Sequence, residues 1–306
     1  MPRSFLIIGT VAWDRVVIVD GPTLPGTRLT GKMGVDPDSD LPAGRLGGGA
    51  ANAASALVNA GHGAFLYAPI STGRDGDNAI SAARRIGIDT RYVQRTDLLT
   101  SKTLVLIDPA GERTIVRLFD RAASSERKSK LLSQLVGPDL ATLPPLNGVY
   151  IRSALPGYQA IIDTAKDAHI LAHWPLSSEA TPIDAHTLVG SADDLVRHGL
   201  DPHHPWPIAS EQTAGRLQHV VITRGADGGT IFSANGQINY STPRVVQVDA
   251  TGAGDSFAAG LLEALVEKAP IKEAALHAAK WGAITASRIG SSCDMEGELY
   301  PPFAAR

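Results

Sequence analysis

A mostly parallel β-sheet with helices packed on both faces is the architecture this sequence predicts, and three observations carry it. Short apolar runs that read as strands alternate with amphipathic or alanine-rich runs that read as helices, as expected when crossover helices cover a parallel sheet. One segment, residues 16–46, breaks the rhythm: it is rich in Gly, Pro and Asp and holds only short extended pieces such as 16–19. The chain has 306 residues, 43% hydrophobic and 19% charged, enough for one large α/β unit with a real core. We therefore expect a single domain over 1–306, three layers thick (α/β/α). A small β-sheet lid, formed by about 14–46 and 100–120, would cover the C-terminal edge of the main sheet.

The elements follow in order. Phe5-Leu6-Ile7-Ile8-Gly9 is continuously apolar, as a strand buried on both faces should be. It meets Asp14 and Arg15 too soon for a signal peptide or a membrane span. A glycine run then opens an alanine-rich helix over 50–60, followed by a strand at 63–68 and a helix at 77–85. Residues 103–119 could join the segment 16–46 in the small sheet, and 124–133 reads as a charged, solvated helix face. Strands are expected at 148–151, 170–172 and 220–223, with helices at 158–168 and 271–287. No tandem repeat or low-complexity tract interrupts them.

The chemistry concentrates in Asp249-Ala250-Thr251-Gly252-Ala253-Gly254-Asp255-Ser256-Phe257. An extended run, 244–248, precedes it, and Phe257, Leu261 and Leu265 at helical spacing follow. A strand, a glycine-rich turn and a helix start present unpaired backbone N–H groups and a positive dipole end to an anion. Gly252 and Gly254 allow close approach and unusual dihedrals. Asp255 is the odd member, because a carboxylate repels the phosphate such a nest would hold. A general base taking a proton from the attacking hydroxyl would have reason to sit there. On these residues alone, Asp249 and Asp255 could equally cap a helix.

The nonamer resembles the C-terminal signature of the ribokinase-like (PfkB) carbohydrate kinases, D-[TA]-x-G-A-G-D. The resemblance implies that Asp255 is the base, that Gly252, Ala253 and Gly254 form the anion hole, and that Asp249 helps hold the turn. Gly48-Gly49-Ala50-Ala51-Asn52, then Gly73-Arg74-Asp75-Gly76 and Gly87-Ile88-Asp89, resemble the family's N-terminal signature in the same order. That likeness assigns sugar contacts to Gly48, Gly49 and Asn52, and a further substrate contact to Asp14, just after the first strand. Residues 103–107 with Gly111-Glu112-Arg113-Thr114 resemble the hairpin of the family's lid, which brings Arg113 toward the substrate. Thr223-Arg224-Gly225-Ala226-Asp227-Gly228 resembles its nucleotide loop, with Thr223, Gly225 and Gly228 lining the nucleotide.

The departures are as specific. The family's N-x-x-E motif, which organises phosphate-bound Mg2+ through water, has as its best counterpart Ser191-Ala192-Asp193-Asp194, with Asp194 in place of Glu. An Asp-x-Asn near the phosphates is replaced by Ala172-His173-Trp174-Pro175.

Composition excludes other classes. A formal net charge of −3 leaves no basic footprint for nucleic acid and no polybasic membrane signal. The single cysteine, Cys293, forms no internal disulfide, which suits a cytoplasmic protein. His169 and His173 stand four apart near a predicted strand, where we expect that spacing not to set both on one face; no Cys/His set has zinc spacing. Neither G-x-x-x-x-G-K-[ST] nor a G-x-G-x-x-G after the first strand is present.

The expectation is an ATP- and Mg2+-dependent kinase acting on a hydroxymethyl group of a small sugar or related polyol. The resemblance adds a monovalent cation such as K+ and a homodimer formed through the lid. Two alternatives stand beside it: a nucleoside kinase of the same fold, for which Trp13 and Phe119 could offer a base-stacking surface, and a ligand-binding or regulatory protein without turnover.

Overall fold

The computed structural model describes residues 1–24, 26, 28–33, 44–97, 101–109, 113–118, 132–133, 135, 137, 139–176, 183–288, 290–294 and 300–303. The turn residues Gly111 and Glu112, Phe119, and all of the charged patch 124–133 except 132–133 lie outside them.

The main sheet is laid down by β1 (Ser4–Ile8), β5 (Gly63–Tyr67), β10 (Gly148–Ile151), β11 (His169–His173), β12 (Thr187–Ser191), β13 (His219–Thr223), β14 (Gly229–Ser233) and β15 (Gly236–Tyr240). Among the described residues its eight strands run in the order β15-β14-β13-β12-β11-β10-β1-β5. The pairs from β5 to β13 are parallel, and β14 and β15 close one edge antiparallel.

Alternate residues of each strand enter different cores, as a pleated strand buried on both faces requires. Phe5, Ile7, Tyr150, Leu171, Val189 and Val221 pack on one face. That face is covered by α1 (Gly49–Asn59), α2 (Arg74–Ile86), α6 (Ala253–Val266) and α7 (Ile271–Ala286). Leu6, Ile8, Val149, Ile151, Ile170 and Leu188 pack on the other, with α3 (Tyr158–Thr164), α4 (Ala192–Arg197) and α5 (Trp206–Glu211). The result is the expected three layers. Helices α6 and α7 approach closely at Gly260, where a Cβ would stand 2.8 Å from the Trp281 ring.

The segment that broke the sequence rhythm forms a second sheet. Here β2 (Ala12–Val19) is central, antiparallel to both β3 (Gly31–Met33) and β4 (Gly44–Gly47) and parallel to β8 (Ser101–Ile107). Strand β9 (Arg113–Leu118) completes the expected hairpin with β8. A short parallel pair, β6 (Pro69–Ser71) with β7 (Gln94–Thr96), flanks α2.

Three expectations need correction. Among the described residues, 244–248 pair with no strand: Val245, Val246 and Val248 are exposed, and the Val248 N–H donates to the Ala286 carbonyl of α7 at 2.8 Å. Helix α3 ends at Thr164, whose hydroxyl turns back to the Ala160 carbonyl, and not at 168. His169 and His173 do share a face of β11, because residues an even number apart do so on a strand, but they mark its two ends.

Candidate active site

Strand β1 leads to β5 on one side, whereas the chain returns from the small sheet as β10 on the other. The C-terminal ends of β1 and β10 therefore flank a topological switch point, the crevice where open α/β sheets place ligands. Gly9 and Arg152 follow these two strands. A Cβ on Gly9 would stand 3.0 Å from the Arg152 Cβ and 3.1 Å from that of Ala50, so this glycine lets α1 begin directly over the crevice.

Helix α6 delivers Asp255. Its cap, Gly252, has φ 76°, a left-handed conformation that favours glycine. The Ala253 N–H donates to the Ala250 carbonyl at 3.2 Å and Ser256 makes the first full helical bond to Gly252 at 2.9 Å. Between them lie the N–H groups of Gly254 and Asp255, which a helix start leaves without intrahelical acceptors. A Cβ on Gly254 would meet nothing within 4 Å, so this side of the nest is open. Asp249 holds the turn from below: one carboxylate oxygen accepts from Thr251 N–H at 3.0 Å and the other from Gly290 N–H at 2.8 Å.

Both oxygens of Asp255 are held as well. Oδ2 accepts from Asn52 Nδ2 at 2.9 Å, and Oδ1 accepts from Arg152 Nε at 3.1 Å. Asn52, on α1, is itself fixed: Cys293 Sγ donates to its Oδ1 at 3.4 Å, and Ser292 Oγ donates to its carbonyl at 2.6 Å. Gly49 faces the same point, where a Cβ would lie 2.5 Å from Arg152 Nε and 2.8 Å from Asp255 Oδ1. Gly48, with φ 90°, is walled by the backbone of Thr10, Val11 and Ala12. Asp14 pairs in register with Arg45, and its carboxylate lies against Gly47 so closely that a Cβ there would collide with it. The structure thus brings Asp14, Gly48, Gly49, Asn52, Gly252, Ala253, Gly254 and Asp255 to one crevice.

Arg152 escaped the sequence reading. A charged residue immediately after the apolar run 148–151 was the available signal. Burial opposes its charge, but Tyr150, Asp255 and Asp194 outweigh that and raise its pKa. His173, at the end of β11, is pushed down to about 4 by burial and by Arg152, so its imidazole is neutral at neutral pH. Asp194 sits in the first turn of α4, where the Ser191 hydroxyl accepts from its N–H at 3.0 Å and Arg197 pairs with its Oδ1 at 2.8 Å.

The expected nucleotide residues lie farther along the same edge. Thr223 ends β13 opposite Ser191, and its hydroxyl donates to the Gly190 carbonyl at 3.3 Å. Gly225 and Gly228 have φ of 54° and 79°, and a Cβ on Gly228 would collide with the Tyr240 carbonyl. In the sheet order β13-β12-β11-β10, Thr223 and the turn that follows it stand three strands along from the end of β10. Arg113 opens β9, paired in register with Ile107, and its side chain lies outside the described residues. Among the described residues no group of three or more His, Cys, Asp or Glu is arranged to hold a metal, and no helix is long and apolar enough to cross a membrane.

The chain is similar to known proteins along most of its length. The chain is 25% identical over 300 residues to the ATP-dependent ribose-1-phosphate kinase of Halopiger xanaduensis, covering 94% of this chain and 93% of that protein. It is 37% identical over 84 residues to inositol 3-kinase of Oryza sativa subsp. japonica, a match spanning 28% of this chain and only 21% of that protein's length. The ribokinase structure of Thermotoga maritima superposes with a TM-score of 0.70 at 20% identity, covering 97% of both chains, which shows the fold. The model of the pfkB family carbohydrate kinases matches residues 43–143 and 206–296, most of the crevice included, and the chain belongs to that family.

Proposed function

We propose that this chain is an ATP-dependent kinase that places the γ-phosphoryl group on a hydroxymethyl group of a small sugar or related polyol. The observation that carries the reading is Asp255: a carboxylate at an open, glycine-lined helix start, held on both oxygens at the switch point of the sheet. It would accept the proton of the attacking hydroxyl. The N–H groups of the turn Gly252-Ala253-Gly254 would neutralise charge on the transferring group, Gly254 more than Ala253, whose N–H is already shared with Ala250. Asp14, Gly48, Gly49 and Asn52 would hold the acceptor, and the small sheet with Arg113 would close over it as a lid, excluding water.

Thr223, Gly225 and Gly228 would line the nucleotide. Mg2+ bound with the phosphates supplies further charge neutralisation, and Asp194 suits it. Its side chain is 34% exposed, and Mg2+ prefers oxygen donors and keeps several waters, so a complete protein ligand set is not required. The names of the ribose-1-phosphate and inositol kinases favour a sugar or cyclic polyol. Trp13, the described candidate for stacking on a base, is buried and packs against Gly44, which weighs against a nucleoside. One domain, a cytoplasmic location, activation by K+ and a homodimer through the lid complete the proposal.

An ADP-release screen over sugars, polyols and nucleosides with Mg2+ and K+ tests it. We expect acceptor-dependent ADP release, and a fall in kcat of ~10² to 10⁴ in Asp255→Asn with acceptor affinity little changed. Release that ignores every acceptor, or a pure Asp255→Asn protein with wild-type kcat, refutes it.

A further inference from the structure

The crevice contains an electrostatic conflict that one residue resolves. Asp255 must come within hydrogen-bond reach of a hydroxyl that is attacking a phosphoryl group, and two negative groups this close repel strongly in a partly buried site. The positions that should carry polar help farther along the edge hold a neutral His173 and the shortened Asp194.

Arg152 stands between. Its Nε is bound to Asp255 Oδ1 at 3.1 Å, and the charge of Asp194 reaches it as well. Its side chain is 31% exposed, so the guanidinium is neither sunk in the core nor free in solvent. A guanidinium carries five N–H donors in a rigid fork, and the contact to Asp255 uses one of them. The chain makes room for this arrangement at Gly49, where any Cβ would strike both Arg152 and Asp255.

We propose that Arg152 is a catalytic residue: it keeps Nε on Asp255 and turns its remaining N–H groups onto the oxygens of the transferring phosphoryl group. The attacking hydroxyl oxygen forms the new P–O bond, its proton goes to Asp255, and the bond to the ADP oxygen breaks with its electron pair leaving on ADP. Arg152 stabilises the charge spread over the equatorial oxygens without changing its own protonation. This inference rests on the kinase reading.

The test compares Arg152→Gln and Arg152→Lys with wild type, using an acceptor found in the ADP-release screen. For Arg152→Gln we expect kcat to fall about 10³-fold, with the acceptor KM little changed, and for Arg152→Lys a partial recovery through its point charge. A second readout needs no turnover: the rise in melting temperature when fluoroaluminate is added to protein with Mg2+ and ADP. Wild type should show that gain, and Arg152→Gln should lose it. Wild-type kcat in Arg152→Gln, an unchanged fluoroaluminate gain, or a loss confined to the acceptor KM overturns the assignment. If Arg152→Gln does not fold, Arg152→Lys decides: kcat and fluoroaluminate gain both below wild type support the role, and both unchanged overturn it. A wild-type protein without turnover on any acceptor overturns the kinase reading and this inference together.

Discussion

Asn52 and Asp255, 203 residues apart in sequence, meet at 2.9 Å, the amide of one donating to the carboxylate of the other. The orientation of that amide is enforced, because Cys293 donates to its other end. Turning the amide over would set its oxygen against the Asp255 carboxylate and its NH2 group against a thiol donor.

Removing the amide should therefore disturb the base without unfolding the protein. In Asn52→Leu, similar in volume, kcat is expected to drop by ~10² as Asp255 loses its alignment, the scale of a 1 Å misplacement. Cys293→Ala should cost far less, since a thiol is a weak donor. Steady-state kinetics beside a thermal melt check both, and an unaltered kcat in Asn52→Leu means that the amide does not position Asp255.

Two glycines of one turn should fail in different ways. Gly254 faces open space, so Gly254→Val should melt near wild type while phosphoryl transfer collapses, its side chain occupying the anion's place. Gly252 has φ 76° and a Cβ there would lie 3.0 Å from Ser291 and 3.1 Å from Asn52, so Gly252→Ala should lose stability, by ~1–2 kcal/mol from the backbone alone. Parallel melts and assays separate the two, and full transfer in Gly254→Val would remove the nest from the phosphate path.

The side chain of Asp194 can be deleted without losing its helix cap, because Ser191 binds its backbone N–H. If it steadies Mg2+ through water, Asp194→Ala should raise the Mg2+ needed for half-maximal rate several-fold and leave acceptor preference as it was. Mg2+ titrations that superimpose would reduce Asp194 to a surface partner of Arg197.

Acid should destabilise the fold in two stages. Burial, reinforced by His186 and His219, pushes His169 down to about 3, and His173 lies at about 4. The unfolded chain binds protons at these histidines from about pH 6.5 downward while the native state does not, so stability falls as pH drops below that value. Glu263 follows at lower pH. Burial pushes its pKa up, but His277, His62 and the Phe303 N–H outweigh this and hold it at about 2, so the stability it lends is lost as pH falls from 4.5 toward 2. Melts between pH 7.5 and 4.5 should decline, less steeply in His169→Leu; equal slopes would show that His169 does not carry the effect.

Much of this was legible because it is local. Runs such as Phe5 to Ile8 announce a doubly buried strand, and the turn 249–257 carries its chemistry within nine positions. Arg152 was illegible because nothing in Ile151-Arg152-Ser153 says what stands opposite; its meaning comes from the parallel register of β1 and β10 and from where α6 starts. The segment 244–248 misled for the converse reason. Its valines favour an extended backbone, but an extended backbone becomes a strand only when a neighbour offers a ladder, and here α7 supplies the partner.

The bond from Ser292 to the Asn52 carbonyl has a consequence for the protein's birth. It closes a loop of 240 residues, and with it the support of Asp255. During synthesis Asn52 emerges 240 residues ahead of Ser292, and its amide is clamped only once the segment carrying Ser292 and Cys293 has followed. A ribosome-bound chain halted short of that segment should bury much of its sheet while the amide beside Asp255 is still unclamped.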